Sequence, residues 1–345
     1  MHTQIVEVIN LNHREITESY EEKHLSQYAQ KSANTMGRKK HEEKCDVRTE
    51  YQRDKDRITH SKAFRRLMHK TQVFISPEGD HYRTRLTHTL EVSQIARTIS
   101  RALNLNEDLT EAIALGHDLG HTPFGHTGED ALNSIWPGGF RHNEQSVRVV
   151  EFIEKNAEGL NLTKEVLDGI LNHRGGFKPS TLEGKVVQVS DKIAYINHDI
   201  DDAIRAGQLN DFDLPKQSVE VLGDTSSLRI NFLIRDIIKN SIGKNDIVMS
   251  KDVKVAMYGL RKYMFDTVYT SQLQMKERKK IAGVLNGIYR HFIENKEEIP
   301  HEFMKIENHG ETIDRIVLDY IACMTDRYAI NLYKNLLMPS SWSLN

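Results

Sequence analysis

The segment 114–129 reads ALGHDLGHTPFGHTGE. Apolar residues at helical spacing lead into it and predict a helix that stops between Gly116 and Gly120: Leu109, Ala112, Ile113 and Leu115. His117 and Asp118 therefore lie at the end of this helix. Where a helix end opens onto a cavity, an imidazole and a carboxylate can bind one cation without either being buried unpaired. Such a cation needs further ligands, and the flanking segments contain candidates.

His88 and Asp191 are the candidate further ligands, each on a predicted helix. Residues 83–92 read RTRLTHTLEV, in which Leu86 and Leu90 mark the core face beside His88, with Ile95 and Ile99 continuing the helix. Asp191 belongs to a longer helix over 185–205. At about 100° per residue, Asp191, Tyr195 and Asp199 fall within roughly 80° of one another. The apolar stripe of that helix is centred about 130° away and consists of Val189, Ile193, Ile196 and Ile200.

The remaining apolar residues also recur mostly at helical spacing. They predict helices at 147–153, 166–171 (capped by Thr163), 228–238, 253–269, 278–294 and 312–337. Strand signals are limited to 247–249 beside 228–231, which could pair as a hairpin. We therefore predict an all-α protein with at most a small β-hairpin. We expect an N-terminal segment 1–44 that is partly mobile, especially over 31–44, then a helical core over 45–210 and a C-terminal helical region over 211–345 packed on the core.

The composition excludes several classes of protein. Of 345 residues, 38% are apolar, and 47 Lys and Arg balance 49 Asp and Glu for a net charge of −2. This balance argues against a general nucleic-acid binder. The distant Cys45 and Cys323 form neither a disulfide framework nor a cysteine zinc site, which favours a cytoplasmic setting. No signal peptide or membrane span is visible, so we expect no membrane partner. Histidine is enriched, because eight of the 17 lie between His60 and His142.

The order His88, His117-Asp118, Asp191 resembles the signature of the HD superfamily of metal-dependent phosphohydrolases. Within it, the chain is similar to the deoxynucleoside triphosphate triphosphohydrolases, the dGTPase-like proteins. The GHDLGHTPFGH string at 116–126 is typical of this subfamily. The resemblance covers about 45–270 and rests on segments in the same order: FRRLMHKTQVF (64–74), RTRLTHTLEV (83–92), GHDLGHTPFGHTGE (116–129), RHNEQS (141–146), SDKIAYINHDIDDA (190–203) and, more weakly, YGLRKYMFDTVY (258–269). The last 75 or so residues do not map onto it.

The resemblance implies that an HD core binds a divalent ion and attacks the α-phosphorus of a dNTP, releasing a deoxynucleoside and tripolyphosphate. The implied metal ligands are His88, His117, Asp118 and Asp191. Two imidazoles and two carboxylates suit Mn²⁺ or Mg²⁺ and also accept Fe²⁺, Co²⁺ or Zn²⁺, so the residues leave the native metal open. Such an ion can act both as a Lewis acid and as a source of the nucleophile.

The resemblance also implies roles for the other polar residues. His126 and Glu129 stand three apart, so Glu129 can orient the imidazole on a helical turn. By resemblance this pair performs acid–base or nucleophile-like catalysis, with His126 near the 5′ oxygen and His121 at the phosphates. We expect histidines beside a triphosphate to become protonated. Tyr195 is implied under the sugar, with Asp199 and Gln72 at the 3′-hydroxyl, and the remaining implied substrate contacts are Arg85, His142, Lys192, Arg261 and Tyr269.

Two alternative functions use the same residues. An HD nucleotidase or phosphodiesterase acting on other nucleotides needs the metal ligands without the sugar contacts at Gln72, Tyr195 and Asp199. A regulatory protein that binds nucleotides or single-stranded nucleic acid needs no intact catalytic pair. By resemblance we expect a homo-oligomer, with a nucleotide effector as a further partner. The sequence leaves open the base preference, the function of the segment after Pro300, and the functions of His60, His69 and His81.

Overall fold

Helices form where the apolar periodicity predicts them, and the chain is all-α. The structure, a computed structural model, describes residues 12–72 and 83–339, and within these ranges it contains isolated backbone bridges but no β-strand. The α-helices, numbered in chain order, are α1 His13–His24, α2 Glu50–Thr59, α3 Lys62–Arg66, α4 Arg85–Ala102, α5 Glu107–Gly116, α6 Gly125–Ile135, α7 His142–Arg148, α8 Lys164–Asn172, α9 Leu182–Arg205, α10 Lys216–Leu222, α11 Ser226–Ser241, α12 Lys251–Met264, α13 Gln272–Glu294, α14 His301–Met304, α15 Ile313–Ala322 and α16 Asp326–Leu337.

Short π-helical and irregular segments join some of these helices. α7 continues as a π-helix over Val149–Ile153 and then as the turn Glu154–Ala157, in which Lys155 and Asn156 have left-handed backbone angles. α12 continues as a π-helix over Phe265–Tyr269. Among the described residues, no helix combines the length and apolar character needed to cross a membrane.

The chain divides into two compact units, each of them discontinuous in sequence. Unit 1 comprises Met1–His60, Thr89–His117 and Asn161–Met264, and unit 2 comprises Ser61–His88, Asp118–Leu160 and Phe265–Asn345. In unit 1, α5 packs against α2, α8 and α9. In unit 2, α13 packs against α6, α15 and α16. The division separates Arg85–His88 from the rest of α4 and passes between the consecutive residues His117 and Asp118.

Small residues bring α5 and α8 close together in the core of unit 1. A Cβ atom on Gly116 would lie 2.5 Å from Ile170 Cδ1, and one on Gly169 would lie 2.4 Å from Ile113 Cδ1. Asn106 caps α5 by accepting the backbone N–H of Leu109 at 3.1 Å. The cap fixes where α5 begins and the close packing fixes its axis, so His117 extends from a rigid support.

Several local expectations differ from the structure. The predicted hairpin is wrong, because 228–231 lies inside α11 and 247–249 is irregular. Leu90, predicted on the core face of α4, is 50% exposed. The buried apolar residues of this helix are Val92, Ala96 and the predicted Ile95 and Ile99. The predicted helix over 312–337 is interrupted after Ala322, and Thr325 caps a new helix by accepting the N–H of Tyr328. The apolar periodicity does not predict α1, which is highly charged, or the glycine-rich start of α6, because neither has an apolar repeat.

The segment 31–44, in which we expect mobility, makes defined contacts within unit 1. Arg38 forms an ion pair with Glu50 at 2.6 Å and another with the buried carboxylate of Asp54. Glu165 accepts the N–H of Met36 at 2.5 Å and the hydroxyl of Thr35 at 2.9 Å. These buried charge-assisted contacts connect the segment to α2 and α8.

Candidate active site

A strained turn precedes the helix that carries His126 and Glu129 in unit 2. Phe124 has φ 63° and ψ 23°, and Gly125 has φ 59°. The left-handed conformation costs a residue with a side chain about 1–2 kcal/mol, and it is rare for bulky residues. The hydroxyl of Thr122 donates to the carbonyl of Gly125 at 2.9 Å and so closes the turn. The turn leads directly into α6, in which Gly125 is buried and His126 is exposed.

Glu129 binds two imidazoles through one carboxylate oxygen. Its Oε2 lies 3.1 Å from Nδ1 of His126 and 2.9 Å from Nδ1 of His142, while its Oε1 accepts the backbone N–H of His142 at 3.1 Å. Burial by itself would raise the pKa of the Glu129 carboxyl, but the hydrogen bonds from His126 and His142 hold it well below its ordinary value. Glu129 is therefore an anion that orients both rings. The predicted contact between His126 and Glu129 is present.

His121 completes this cluster. Its ring stacks on that of His142 at 4.5 Å and meets the ring of His126 edge-on at 5.0 Å. Burial, reinforced by the nearby Arg85 and His142, lowers the pKa of His121 well below its ordinary value. The protein alone thus keeps His121 neutral, and the protonation that we expect beside a triphosphate would require the field of the polyanion. Its Nδ1 is buried without a hydrogen-bond partner in the part of the chain that the structure describes.

The side chain of His126, unlike those of its partners, is open to solvent. It is 70% exposed, whereas the Glu129 side chain is 7% exposed and the His142 side chain 6%. A buried anion thus holds an accessible imidazole, which is the arrangement that a general acid or base requires.

Arg85 and Asp118 form a buried ion pair in the same unit. Nη1 of Arg85 donates to Oδ2 of Asp118 at 2.7 Å, and Nη2 donates to the carbonyl of Gln72 at 3.3 Å. Both side chains are almost completely buried. A ring nitrogen of His88 and a carboxylate oxygen of Asp118 lie within 4.8 Å of each other. Two of the predicted metal ligands are therefore close together, and a fixed cation orients the carboxylate.

The other two predicted metal ligands are close together in unit 1. Nε2 of His117 lies 3.9 Å from Oδ1 of Asp191, which is beyond hydrogen-bonding distance but suits two ligands of one ion. Nδ1 of His117 lies 2.7 Å from the carbonyl of Ala114. A hydrogen bond from Nδ1 to a carbonyl fixes the imidazole tautomer and leaves Nε2 to bind a metal. The residues present therefore fit a divalent ion.

Tyr195 lies near Asp191, Asp199 and Arg261 in unit 1. Burial raises the pKa of the Tyr195 hydroxyl above its ordinary value, and the hydrogen-bonded Arg261 only partly opposes that shift. Asp191 and Asp199 act on the same hydroxyl, as expected for one face of α9. The phenol therefore stays protonated and can donate a hydrogen bond. Of the other predicted contacts, Lys192 and Tyr269 are half-buried and Arg261 is exposed.

Three residues that the sequence analysis does not single out lie beside these groups: His173, Lys70 and Asp326. His173 meets His117 edge-on at 5.0 Å, and its Nδ1 contacts the carbonyl of Ile170 in the way that His117 contacts Ala114. Lys70 and Asp326 contact the 121–124 loop. Of these three residues, His173 could have been found from the sequence, because it follows a predicted helix just as His117 does. His60 and His69 are exposed, and His81 lies outside the described residues.

Comparison with known proteins identifies the family. The HD domain model matches residues 85–196 and the phosphohydrolase-associated domain model matches residues 247–335. A deoxyguanosinetriphosphate triphosphohydrolase-like protein of Caldanaerobacter subterraneus subsp. tengcongensis is 61% identical over 95% of this chain and 97% of its own. Proteins of the same name from Clostridium perfringens and Desulfatibacillum aliphaticivorans are 52% and 46% identical, over 94% and 95% of this chain and 98% of their own length. HD domains bind divalent metal ions. The chain belongs to the deoxyguanosinetriphosphate triphosphohydrolase-like family of HD-domain hydrolases.

Proposed function

We propose that this protein hydrolyses deoxynucleoside triphosphates, dGTP among them, to a deoxynucleoside and tripolyphosphate. The observation that carries the proposal is the cluster around Glu129, in which a buried carboxylate orients the solvent-exposed imidazole of His126. In a member of this hydrolase family, such a pair is suited to move a proton at the bond that breaks.

The reaction requires one proton at the leaving group. Water adds its oxygen to the α-phosphorus, the bond from phosphorus to the 5′ oxygen breaks, and that oxygen leaves as a hydroxyl. His126 donates its Nδ1 proton to the hydrogen bond with Glu129, so its Nε2 is the atom that delivers a proton to the 5′ oxygen. The anionic Glu129 holds the ring that carries this proton in one orientation. The proton released by the attacking water restores His126.

For the metal we propose His88, His117, Asp118 and Asp191 as ligands, with Mn²⁺ or Mg²⁺ as the ion. When bound, the ion supplies Lewis acidity toward the phosphoryl oxygens. Arg85 holds the carboxylate of Asp118 in one orientation, and the bond of His117 to Ala114 holds its imidazole. Both supports keep the ligand atoms in place before an ion arrives.

For the substrate we propose that Tyr195, kept protonated by its burial, lies under the deoxyribose and disfavours a 2′-hydroxyl. The further contacts that we propose, at the phosphates and the 3′-hydroxyl, are His121, Gln72, Arg85, His142, Lys192, Asp199, Arg261 and Tyr269. We also propose a cytoplasmic homo-oligomer with a nucleotide effector, on the basis of the family resemblance.

The test is product analysis with every dNTP and rNTP in the presence of Mn²⁺ or Mg²⁺. We expect each accepted dNTP to yield equal amounts of deoxynucleoside and tripolyphosphate, and rNTPs to react far more slowly. Asp118→Ala should abolish both turnover and Mn²⁺ binding, whereas Asp252→Ala, which removes an exposed carboxylate on α12, should change neither. Monophosphate or pyrophosphate as product would favour a different HD nucleotidase. Nucleotide binding without turnover would favour a regulatory protein.

A further inference from the structure

The turn at Phe124 depends on residues far away in the sequence. A bulky residue in the left-handed region keeps that conformation only where the surrounding structure fixes it. Phe124 is itself 4% exposed, and its N–H points to the carboxylate of Asp326, the first residue of α16. The C-terminal region, which the sequence leaves without a function, therefore reaches the turn that starts α6.

Asp326 uses both of its oxygens to join two segments. Oδ1 accepts the N–H of Phe124 at 2.9 Å, while Oδ2 accepts the N–H of Thr71 at 3.0 Å and the hydroxyl of Thr71. The carboxylate is 5% exposed, so water does not compete for these donors. One side chain thus connects the 70–72 segment, the catalytic turn and the start of α16.

Lys70 makes a matching connection at the other end of the loop. Its buried ammonium donates to the carbonyl of His121 and, at 2.8 Å, to the carbonyl of Ala322 at the end of α15. The break between α15 and α16 is therefore the place where the C-terminal region binds the 121–124 loop at both ends. In a continuous helix over 312–337 the carbonyl of Ala322 would accept the backbone N–H of Asp326, and Asp326 would not stand at the start of a helix.

We propose that Asp326 is a positioning residue for His126 and Glu129, and that the break between α15 and α16 holds the catalytic turn in its strained conformation. Only the expected effect on kcat depends on the proposed function; the effect on the turn does not. Asp326 touches no reacting group, and it acts through the backbone of Phe124. Replacing it by asparagine would put an amide NH₂ against a backbone N–H, which breaks at least one of the two connections.

The test compares Asp326→Asn with Glu154→Gln in the full-length protein. Glu154 is a matched control, because it is 5% exposed and its carboxylate accepts two backbone N–H groups outside the turn, those of Lys62 and Ala63 at 3.1 and 2.7 Å. Hydrogen–deuterium exchange of a peptide spanning 121–128 is measured first. We expect exchange about tenfold faster in Asp326→Asn and unchanged in Glu154→Gln. Thr71→Val, which removes one donor to Asp326, should give a smaller increase if Asp326→Asn does not fold.

Steady-state kinetics then separate positioning from loss of fold. We expect kcat for dGTP to fall about 10- to 100-fold in Asp326→Asn with KM little changed, because a shift of the order of 1 Å is enough for such a loss. Glu154→Gln should keep the wild-type kcat. Unchanged exchange at 121–128, or equal loss of kcat in both variants, would overturn the proposal. A wild-type protein that does not hydrolyse dGTP would refute the proposed function, while the exchange experiment would still decide whether Asp326 holds the turn.

Discussion

Gly120 is the position where a single added methyl group should push the loop 120–124 away from α7. A Cβ atom there would lie 2.1 Å from the backbone nitrogen of Ser146, 2.3 Å from the carbonyl carbon of Gln145 and 2.7 Å from the carbonyl oxygen of His142. Ordinary contacts begin at 3.4 Å, so in Gly120→Ala the two backbones must separate by about 1.3 Å. None of the three atoms belongs to a side chain that could rotate away.

The expected consequences concern both stability and catalysis. Overpacking of this kind destabilises by about 1–3 kcal/mol. The displacement also moves His121 away from the ring of His142, on which it stacks at 4.5 Å, and a shift of about 1 Å can lower kcat about 100-fold. Urea denaturation measures the loss of stability, and dGTP turnover by the folded variant measures the loss of kcat.

The matched control is Gly283→Ala on α13, where an added Cβ meets nothing within 4 Å. Because alanine favours a helix over glycine by about 0.5–1 kcal/mol, we expect this variant to be slightly more stable and equally active. If Gly120→Ala keeps wild-type stability and a kcat within about twofold of wild type, the backbone at Gly120 does not lie against α7 as the structure has it.

Three further predictions follow from individual side chains. Burial raises the pKa of Glu183 to about 7, so between pH 4.5 and 7 the native state binds more protons than the unfolded chain and loses about 3 kcal/mol of stability as the pH rises. In urea titrations at pH 5 and pH 8, Glu183→Gln should remove this dependence of stability on pH. The same loss of stability in the variant and the wild type would contradict the prediction. His126→Ala should lower kcat about 10²- to 10⁴-fold with Mn²⁺ affinity unchanged by calorimetry, and loss of Mn²⁺ binding would show that His126 is instead a ligand. Tyr195→Ala should narrow the ratio of dGTP to GTP turnover, and an unchanged ratio would remove Tyr195 from sugar selection.

Much of the fold could be predicted because its main helices bury an uninterrupted apolar stripe. α5 and α9 are examples: the repeat residues Leu109, Ala112 and Ile113 of α5 and Ile193, Ile196 and Ile200 of α9 are all buried. α6 could not be predicted in this way, because it starts at Gly125 after a left-handed Phe124 and depends on tertiary contacts. The break before α16 was also missed, since apolar residues continue through 312–337 although Thr325 and Asp326 are typical of a helix start.

The candidate site shows the same limit of sequence reasoning. The contact between His126 and Glu129 is local, three residues apart on one helix, and spacing alone predicts it. His142 reaches the same carboxylate oxygen from 13 residues away, and Asp326 reaches the N–H of Phe124 from 202 residues away. Contacts over such separations depend on the packing of whole helices, which the local spacing of residue types does not encode.

Hydrolysis of dGTP in ¹⁸O-labelled water shows which bond breaks and therefore tests the proposed attack at the α-phosphorus. ³¹P NMR identifies the phosphate product, and mass spectrometry locates the label. Attack of water at the α-phosphorus gives tripolyphosphate that carries one ¹⁸O atom and deoxyguanosine that carries none. Label in the 5′-hydroxyl of deoxyguanosine, or orthophosphate or pyrophosphate as the first product, would contradict it.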